Sequence, residues 1–167
     1  MPYDLYRTFF YDCDPFGETV TNPISKAKIH LGSSPVAVRQ RALLDSVELK
    51  PNFAVRRGQL LCHGWRLKKS AIFALSKGPL TLTEDHIEPH LQQKGVDQRV
   101  SLDAVGLAAK KLVGAVVLVV CDSDFVPVMK AIRREGLRVI LFAFNQSIRP
   151  DLRAHSDIVI PDSEITI

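Results

Sequence analysis

The segment that most constrains the fold is a short apolar run that ends in two carboxylates. Residues 116–120 are aliphatic throughout, Val-Val-Leu-Val-Val, and Asp122 and Asp124 follow almost at once. Such a run is typical of a strand that is buried on both faces of a parallel sheet. Pro127 fits the first turn of a helix, where its missing N–H costs nothing. The segment therefore predicts a strand, an acidic turn and a helix in succession.

The position of the two acids predicts a functional site. Asp122 and Asp124 would lie at the carboxyl end of a parallel strand, which is the edge where open α/β sheets bind ligands. Carboxylates that are held close together repel one another unless protons or a cation intervene. The cations that prefer such oxygen ligands are Mg²⁺ and Mn²⁺. Taken singly, Asp124 is better explained as a first-turn acid that complements a helix dipole, whereas Asp122 has no comparable structural role.

Length, charge and cysteine content narrow the class of protein. The chain has 167 residues, 46% of them hydrophobic, which suits one domain with a real core. Its formal net charge of +4 is compatible with a polyanionic partner but does not require one. Three cysteines without a C-x-x-C pair indicate free thiols, a reducing compartment and no zinc site. No segment reaches the roughly 18–20 apolar residues of a membrane span, so we expect a cytoplasmic protein.

The first half of the sequence predicts few regular elements. A strand at residues 6–11 ends at Asp12, and an irregular insertion follows around residues 13–34. Ser34 and Pro35 then start a helix. The remaining features are a second strand at residues 53–61 and a polar, basic insertion around residues 62–92, which holds a short helix near residues 69–76.

The second half alternates between helices and strands. The predicted elements, in order, are a helix at 97–112, a strand at 115–120, a helix at 124–135, a strand at 137–144, a helix at 151–155 and a strand at 158–160. This order indicates an α/β fold in which helices cover both faces of a parallel sheet.

Other acids have two explanations each. Asp97 precedes a predicted helix, and the start of such a helix can reach the sheet edge where the following strand ends; taken alone, Asp97 is better explained as an ordinary N-cap. Asp103, within the same helix, faces either the site or water. Asp12 either reaches the same edge or is a turn residue beside Cys13.

Two motifs stand at a characteristic spacing. Residues 94–97 read K-G-V-D before a predicted helix, and residues 121–127 read C-D-S-D-F-V-P after an apolar strand. This pairing resembles the NYN domain, a branch of the PIN-like ribonucleases. The segment Y-R-T-F-F-Y-D-C-D-P near the start, together with residues 64–67 and 147–152, is similar to one bacterial subgroup, so the resemblance covers most of the chain.

The resemblance implies a Rossmann-like PIN-type fold. It implies a single domain over residues 1–167, with the insertions around 13–34 and 62–92. The implied activity is metal-assisted hydrolysis of phosphodiester bonds in RNA, with Mg²⁺ or Mn²⁺ as cofactor.

The resemblance also assigns roles to individual residues. Asp97, Asp122 and Asp124 match the acidic positions of the family, and Asp103 is a further candidate metal ligand. Lys94 and Arg149 are candidate phosphate contacts, although each is equally well explained as a solvated surface cation.

The chain departs from the family pattern in two places. Cys121 stands where the family usually has Gly, which the backbone accepts if φ is negative there. Family members normally begin with a strand that ends in I-D-G-x-N and supplies a metal ligand, and nothing of that kind precedes Tyr6. We therefore expect a sheet without its N-terminal strand, because the start is misassigned, the chain is cut or the protein is a degenerate copy. For such a sheet we expect slow or absent RNA cleavage. We also expect two copies to pair through the bare strand edge.

Two other functions compete with a ribonuclease. The first is a catalytically inactive RNA- or protein-binding module on the same fold. The second is a small-molecule enzyme on a doubly wound sheet. The sequence disfavours the second, because it has neither a G-x-G-x-x-G nor a G-x-x-x-x-G-K-[ST] phosphate loop.

Overall fold

A computed structural model of the protein describes residues 4–142 and 148–161, and it shows a mixed α/β fold. The chain divides into two compact units, one ending at Val96 and the other beginning at Asp97. None of the described helices is long and apolar enough to cross a membrane.

The first unit is built around a three-stranded sheet. Its elements are β1 (Thr8–Cys13), β2 (Thr19–Thr21), β3 (Lys28–His30), α1 (Pro35–Glu48), β4 (Phe53–Leu67), α2 (Lys69–Leu75) and β5 (Ile87–Lys94). The strand order is β1-β4-β5, in which β1 pairs parallel to β4 and β5 pairs antiparallel to β4. The predicted start of α1 is confirmed, because Ser34 Oγ accepts a hydrogen bond from the Ala37 N–H at 3.2 Å and Pro35 occupies the first turn.

Both predicted insertions contain strands that the sequence analysis missed. Residues 13–34 hold the antiparallel pair of β2 and β3. In the second insertion β4 continues to Leu67 and pairs with β5. The local pattern hides this hairpin because its register shifts between Cys62 and Trp65, where Gly64 has a φ of 89°. Such a bulge breaks the alternation by which strands are recognised.

The second unit has the alternating order that the sequence predicted. It contains α3 (Val96–Ala109), β6 (Ala115–Val119), α4 (Val126–Arg134), β7 (Arg138–Phe142), α5 (Pro150–His155) and β8 (Ile158–Ile160). The strands pair in parallel in the order β6-β7-β8. A 3-10 turn, Ser123–Phe125, precedes α4. The predicted continuation of β7 through residues 143 and 144 lies outside the described residues.

In the core of the second unit, α4 packs on the sheet through one face. Its buried residues are Ala104, Ala108, Leu118, Phe125, Val128, Met129, Ile132, Leu137, Val139, Leu141 and Leu152. Met129 and Ile132 have no exposed surface, whereas Arg133 and Arg134 are exposed. Gly136, with a φ of 84°, follows the helix and allows the chain to turn back into β7.

The prediction that residues 116–120 are buried on both faces is wrong. Leu118 is buried in the core, but Val117 and Val119, on the opposite face, are 56% and 55% exposed. β6 is an end strand of its sheet, and the helices of this unit pack on the face that carries Leu118. An unbroken aliphatic run thus gave no sign of which face was covered.

We predict that Phe125→Ala lowers the free energy of unfolding by about 3–5 kcal/mol, because a buried ring leaves a cavity when it is removed. Urea unfolding measures the change. Arg134→Ala, on the exposed side of α4, serves as the control and should change stability by no more than about 0.5 kcal/mol. A loss below about 1 kcal/mol for Phe125→Ala would show that this ring does not hold α4 on the sheet.

Candidate active site

The acidic turn joins the end of β6 to the start of α4. Asp122 Oδ1 accepts a hydrogen bond from the Asp124 N–H at 3.1 Å, which fixes the turn and leaves Asp122 Oδ2 available. Both side chains are exposed. Because β6 and β7 run parallel, the turn lies at the carboxyl edge of the sheet, as the sequence predicted.

Asp97 lies on the stripe of α3 that faces the core. The stripe continues through Val100, Ala104 and Ala108, which pack against the same core as Leu118. Asp97 stands in the first turn and is exposed, one turn before the buried part of the stripe. A short loop joins α3 to β6. In an alternating α/β unit such a connection would place the helix antiparallel to the strand that follows, with the start of α3 toward the edge where β6 ends. This arrangement is compatible with the predicted convergence of Asp97 with the acidic turn.

The other predicted site residues differ in their exposure and in the groups that they contact. Asp103 is half-buried in α3 and is engaged in an interaction of its own. Arg149 is exposed immediately before α5, with its Nε 3.7 Å from Asp151 Oδ1. Lys94 is exposed at the end of β5, in the first unit.

Asp12 serves as a hydrogen-bond acceptor within the first unit. Its Oδ1 accepts from the Cys13 N–H at 2.7 Å and from Gln93 Nε2 at 3.3 Å, and its Oδ2 accepts from Gln40 Nε2 at 3.3 Å. These bonds favour the interpretation of Asp12 as a structural residue of the β1 terminus.

Sequence reasoning missed Asp151 as a neighbour of the acidic turn. Ser123 Oγ, in the middle of the turn, is buried and has no hydrogen-bond partner among the described residues. It lies close enough to Asp151 to lower the pKa of that carboxyl, and the Leu152 N–H, at 2.9 Å, acts in the same direction. We regard the Ser123–Asp151 contact as weak, because its geometry falls short of a normal hydrogen bond. Asp151 opens α5, whose first turn lies at the same edge of the sheet.

The acids suit Mg²⁺ or Mn²⁺ in their chemistry but do not form a ready metal site. Carboxylate oxygens are the ligands that both ions prefer. Within residues 4–142 and 148–161, however, no three His, Cys, Asp or Glu side chains are grouped so that they could hold a metal ion. The assignment of Asp97, Asp103, Asp122 and Asp124 as metal ligands therefore stays a prediction.

We predict that Ser123→Ala raises the pKa of Asp151 toward its ordinary value, because the variant loses the hydroxyl that favours the charged carboxylate. Since the folded-state pKa is lowered, the contact stabilises the fold above the ordinary pKa, and this stabilisation is lost as the pH falls. An NMR titration of the Asp151 carboxyl carbon measures the shift. Ser156→Ala, at the other end of α5, is the control. An equal pKa of Asp151 in the wild type, Ser123→Ala and Ser156→Ala would show that Ser123 does not act on Asp151.

Comparison with known proteins places the chain in a family. A protein of unknown function from Vibrio parahaemolyticus has a similar crystal structure, with a TM-score of 0.46 and 18% sequence identity. The match covers 79% of this chain and 64% of that one, which is less than two thirds of its length. No curated protein matches the chain in sequence. The family model of the NYN domain matches residues 31–164, which include the K-G-V-D motif and the acidic turn, and the chain therefore belongs to the NYN domain family.

Proposed function

We propose that the protein is a metal-dependent ribonuclease of the NYN type. The observation that carries this proposal is the exposed pair Asp122 and Asp124 at the carboxyl end of β6, in a unit where Asp97 begins the core-facing stripe of α3. Membership in the NYN family supports a nuclease-like activity for a site of this kind.

In the proposed site the three acids share one cation. Asp122 would bind through Oδ2, because its Oδ1 already accepts from the Asp124 N–H. When bound, Mg²⁺ or Mn²⁺ lowers the pKa of a coordinated water and neutralises charge on the phosphate. Asp103 is a further candidate ligand. Asp151 is placed to raise the negative potential of the turn, which strengthens its attraction for a cation.

Two cations are proposed to position the RNA backbone. Arg149 is exposed, and its 3.7 Å contact with Asp151 is weak enough for a phosphate to compete. Lys94 belongs to the K-G-V-D motif and is exposed at the end of β5. Contacts of this kind fix the register of a strand without reading its sequence.

The fold and location complete the proposal. We propose a Rossmann-like PIN-type sheet for the domain, which the parallel pairing of β6, β7 and β8 supports. Cys13, Cys62 and Cys121 are all free thiols, which favours the reducing environment of the cytoplasm.

An inactive RNA- or protein-binding module is the second candidate function. It is favoured by the lack of a preassembled group of three metal ligands in the described part of the chain. Such a module would keep the fold and the exposed cations but would not cleave its partner.

We predict that the protein cleaves single-stranded RNA in the presence of Mn²⁺, because an ion held by the acids would lower the pKa of a coordinated water beside the phosphate. Asp122→Asn should abolish the cleavage, since it removes one charge at an exposed position. Gel analysis of a labelled oligonucleotide follows the reaction.

The control for this experiment is Asp4→Asn, an exposed acid outside the site, which should cleave like the wild type. RNA binding without cleavage by the wild type would support the inactive module. Cleavage that persists unchanged in Asp122→Asn would contradict the assignment of the site.

We further propose that two copies pair through β6. This end strand carries no charge, and Val117 and Val119 are more than half exposed. Natural end strands usually carry charges or Pro that prevent such pairing. Two antiparallel copies of β6 would satisfy each other's backbone groups and cover both valines.

We expect sedimentation velocity to show a dimer at high protein concentration and a monomer for Val117→Lys, because the lysine introduces a charge into the proposed interface. Val38→Lys is a matched control, since Val38 is 52% exposed but lies on α1. A wild type that stays monomeric throughout would disprove pairing through β6.

A further inference from the structure

The helix α2 presents apolar side chains to solvent. It lies in the extension between β4 and β5, and its inner side is marked by Ala71, which is completely buried. Ile72, Phe73 and Leu75 are 55%, 62% and 41% exposed. Three large apolar residues on so short a helix are more than scattered surface residues, and grouped exposure of this kind marks interaction sites.

Positive charge surrounds this apolar surface. Lys68 precedes α2, Lys69 opens it and Lys77 follows it, and none of them forms an ion pair with another described residue. The Nζ of Lys77 lies 4.3 Å from the centroid of the Phe73 ring, which is within the range of a cation–π interaction. The exposed ring is therefore held beside a cation that has no carboxylate partner.

A shallow groove of about 540 Å³ runs beside the helix. Its lining includes Arg66, Lys68, Lys69 and Ile72. Glu88 also lines the groove, but its Oε1 is 2.8 Å from Arg66 Nε, so these two charges largely cancel. The charge left in the groove is that of the two lysines.

We propose that α2 and its lysines, here called the α2 arm (Arg66 to Lys77), bind single-stranded RNA. A base stacks on the free face of Phe73, and Lys68 and Lys69 contact phosphates along the groove. Exposed aromatic rings next to lysines are the usual means of binding single strands without sequence preference. A duplex offers no unstacked base to the ring, so the arm selects single strands.

This inference rests on the proposed function only in taking RNA as the partner. The arm contains none of the acids of the candidate active site, and it is the segment that the sequence marks as a polar and basic insertion. Its charge complements a polyanion, whereas a purely apolar partner would leave Lys68 and Lys69 without a counter-charge.

Binding is tested by fluorescence anisotropy of a labelled oligouridine of about 10 nucleotides, a length within the usual site size. The full chain is used in EDTA, so that cleavage does not interfere. Phe73→Leu keeps an apolar side chain but removes the stacking surface, and it should weaken binding at least about fivefold. Lys68→Gln with Lys69→Gln should lower the slope of log K against log salt by about 0.7 for each lost phosphate contact.

The matched control is Lys50→Gln with Lys110→Gln, two exposed lysines outside the arm, which should bind like the wild type. Lys68 is half-buried and the other changed residues are exposed, and thermal melts verify that the variants are folded. Unchanged binding in both arm variants, or equal losses in the control, would overturn the proposal. A Phe73→Leu variant that alters sedimentation but not RNA binding would also overturn it, because the arm would then bind a second copy.

The two proposals fail in different ways. If the wild type cleaves RNA through Asp122 while the arm variants bind normally, the α2 arm proposal alone is wrong. If the wild type neither binds nor cleaves RNA, the proposed function is wrong as well.

Discussion

The packing of α4 on the β6-β7-β8 sheet holds the candidate active site in place. Met129 and Ile132 are fully buried, as are Val139 and Leu141 of the strand they cover. Each such side chain contributes about 1.5–3 kcal/mol on burial. The acidic turn is the direct connection between β6 and α4, so this apolar contact fixes both of its ends. Exposed carboxylates can thus be kept at one edge of a sheet although they repel one another.

Electrostatics explain why the acids remain at the surface. Asp122 and Asp124 are two residues apart, and Asp151 approaches the same turn through Ser123. Burial would raise the energy of each ionised group, and their mutual repulsion would add to it. In the exposed arrangement, water screens the charges. Among the described residues these acids are not grouped with a third ligand that could hold a metal ion.

The parts of the fold that sequence reasoning predicted are those with strong local signals. Pro127 predicted the start of α4, and Ser34 with Pro35 predicted the start of α1. The β4–β5 hairpin was missed because its second strand is polar and its bulge at Gly64 breaks the alternation. The exposure of Val117 could not be inferred, since an all-aliphatic strand has the same sequence whether one face or both are covered. The contact of Ser123 with Asp151 depends on how α5 packs, which no local pattern records.

The convergence of Asp97 with the acidic turn is the central claim, and Mn²⁺ titration followed by ¹⁵N NMR tests it most directly. Bound Mn²⁺ broadens the signals of nearby backbone amides. The account predicts that the amides of Asp97, Asp122 and Asp124 broaden together at the lowest metal concentration, and that Asp122→Asn removes this common response. Broadening that reaches Asp122 and Asp124 while sparing Asp97, or that spreads evenly over all exposed acids, would contradict it.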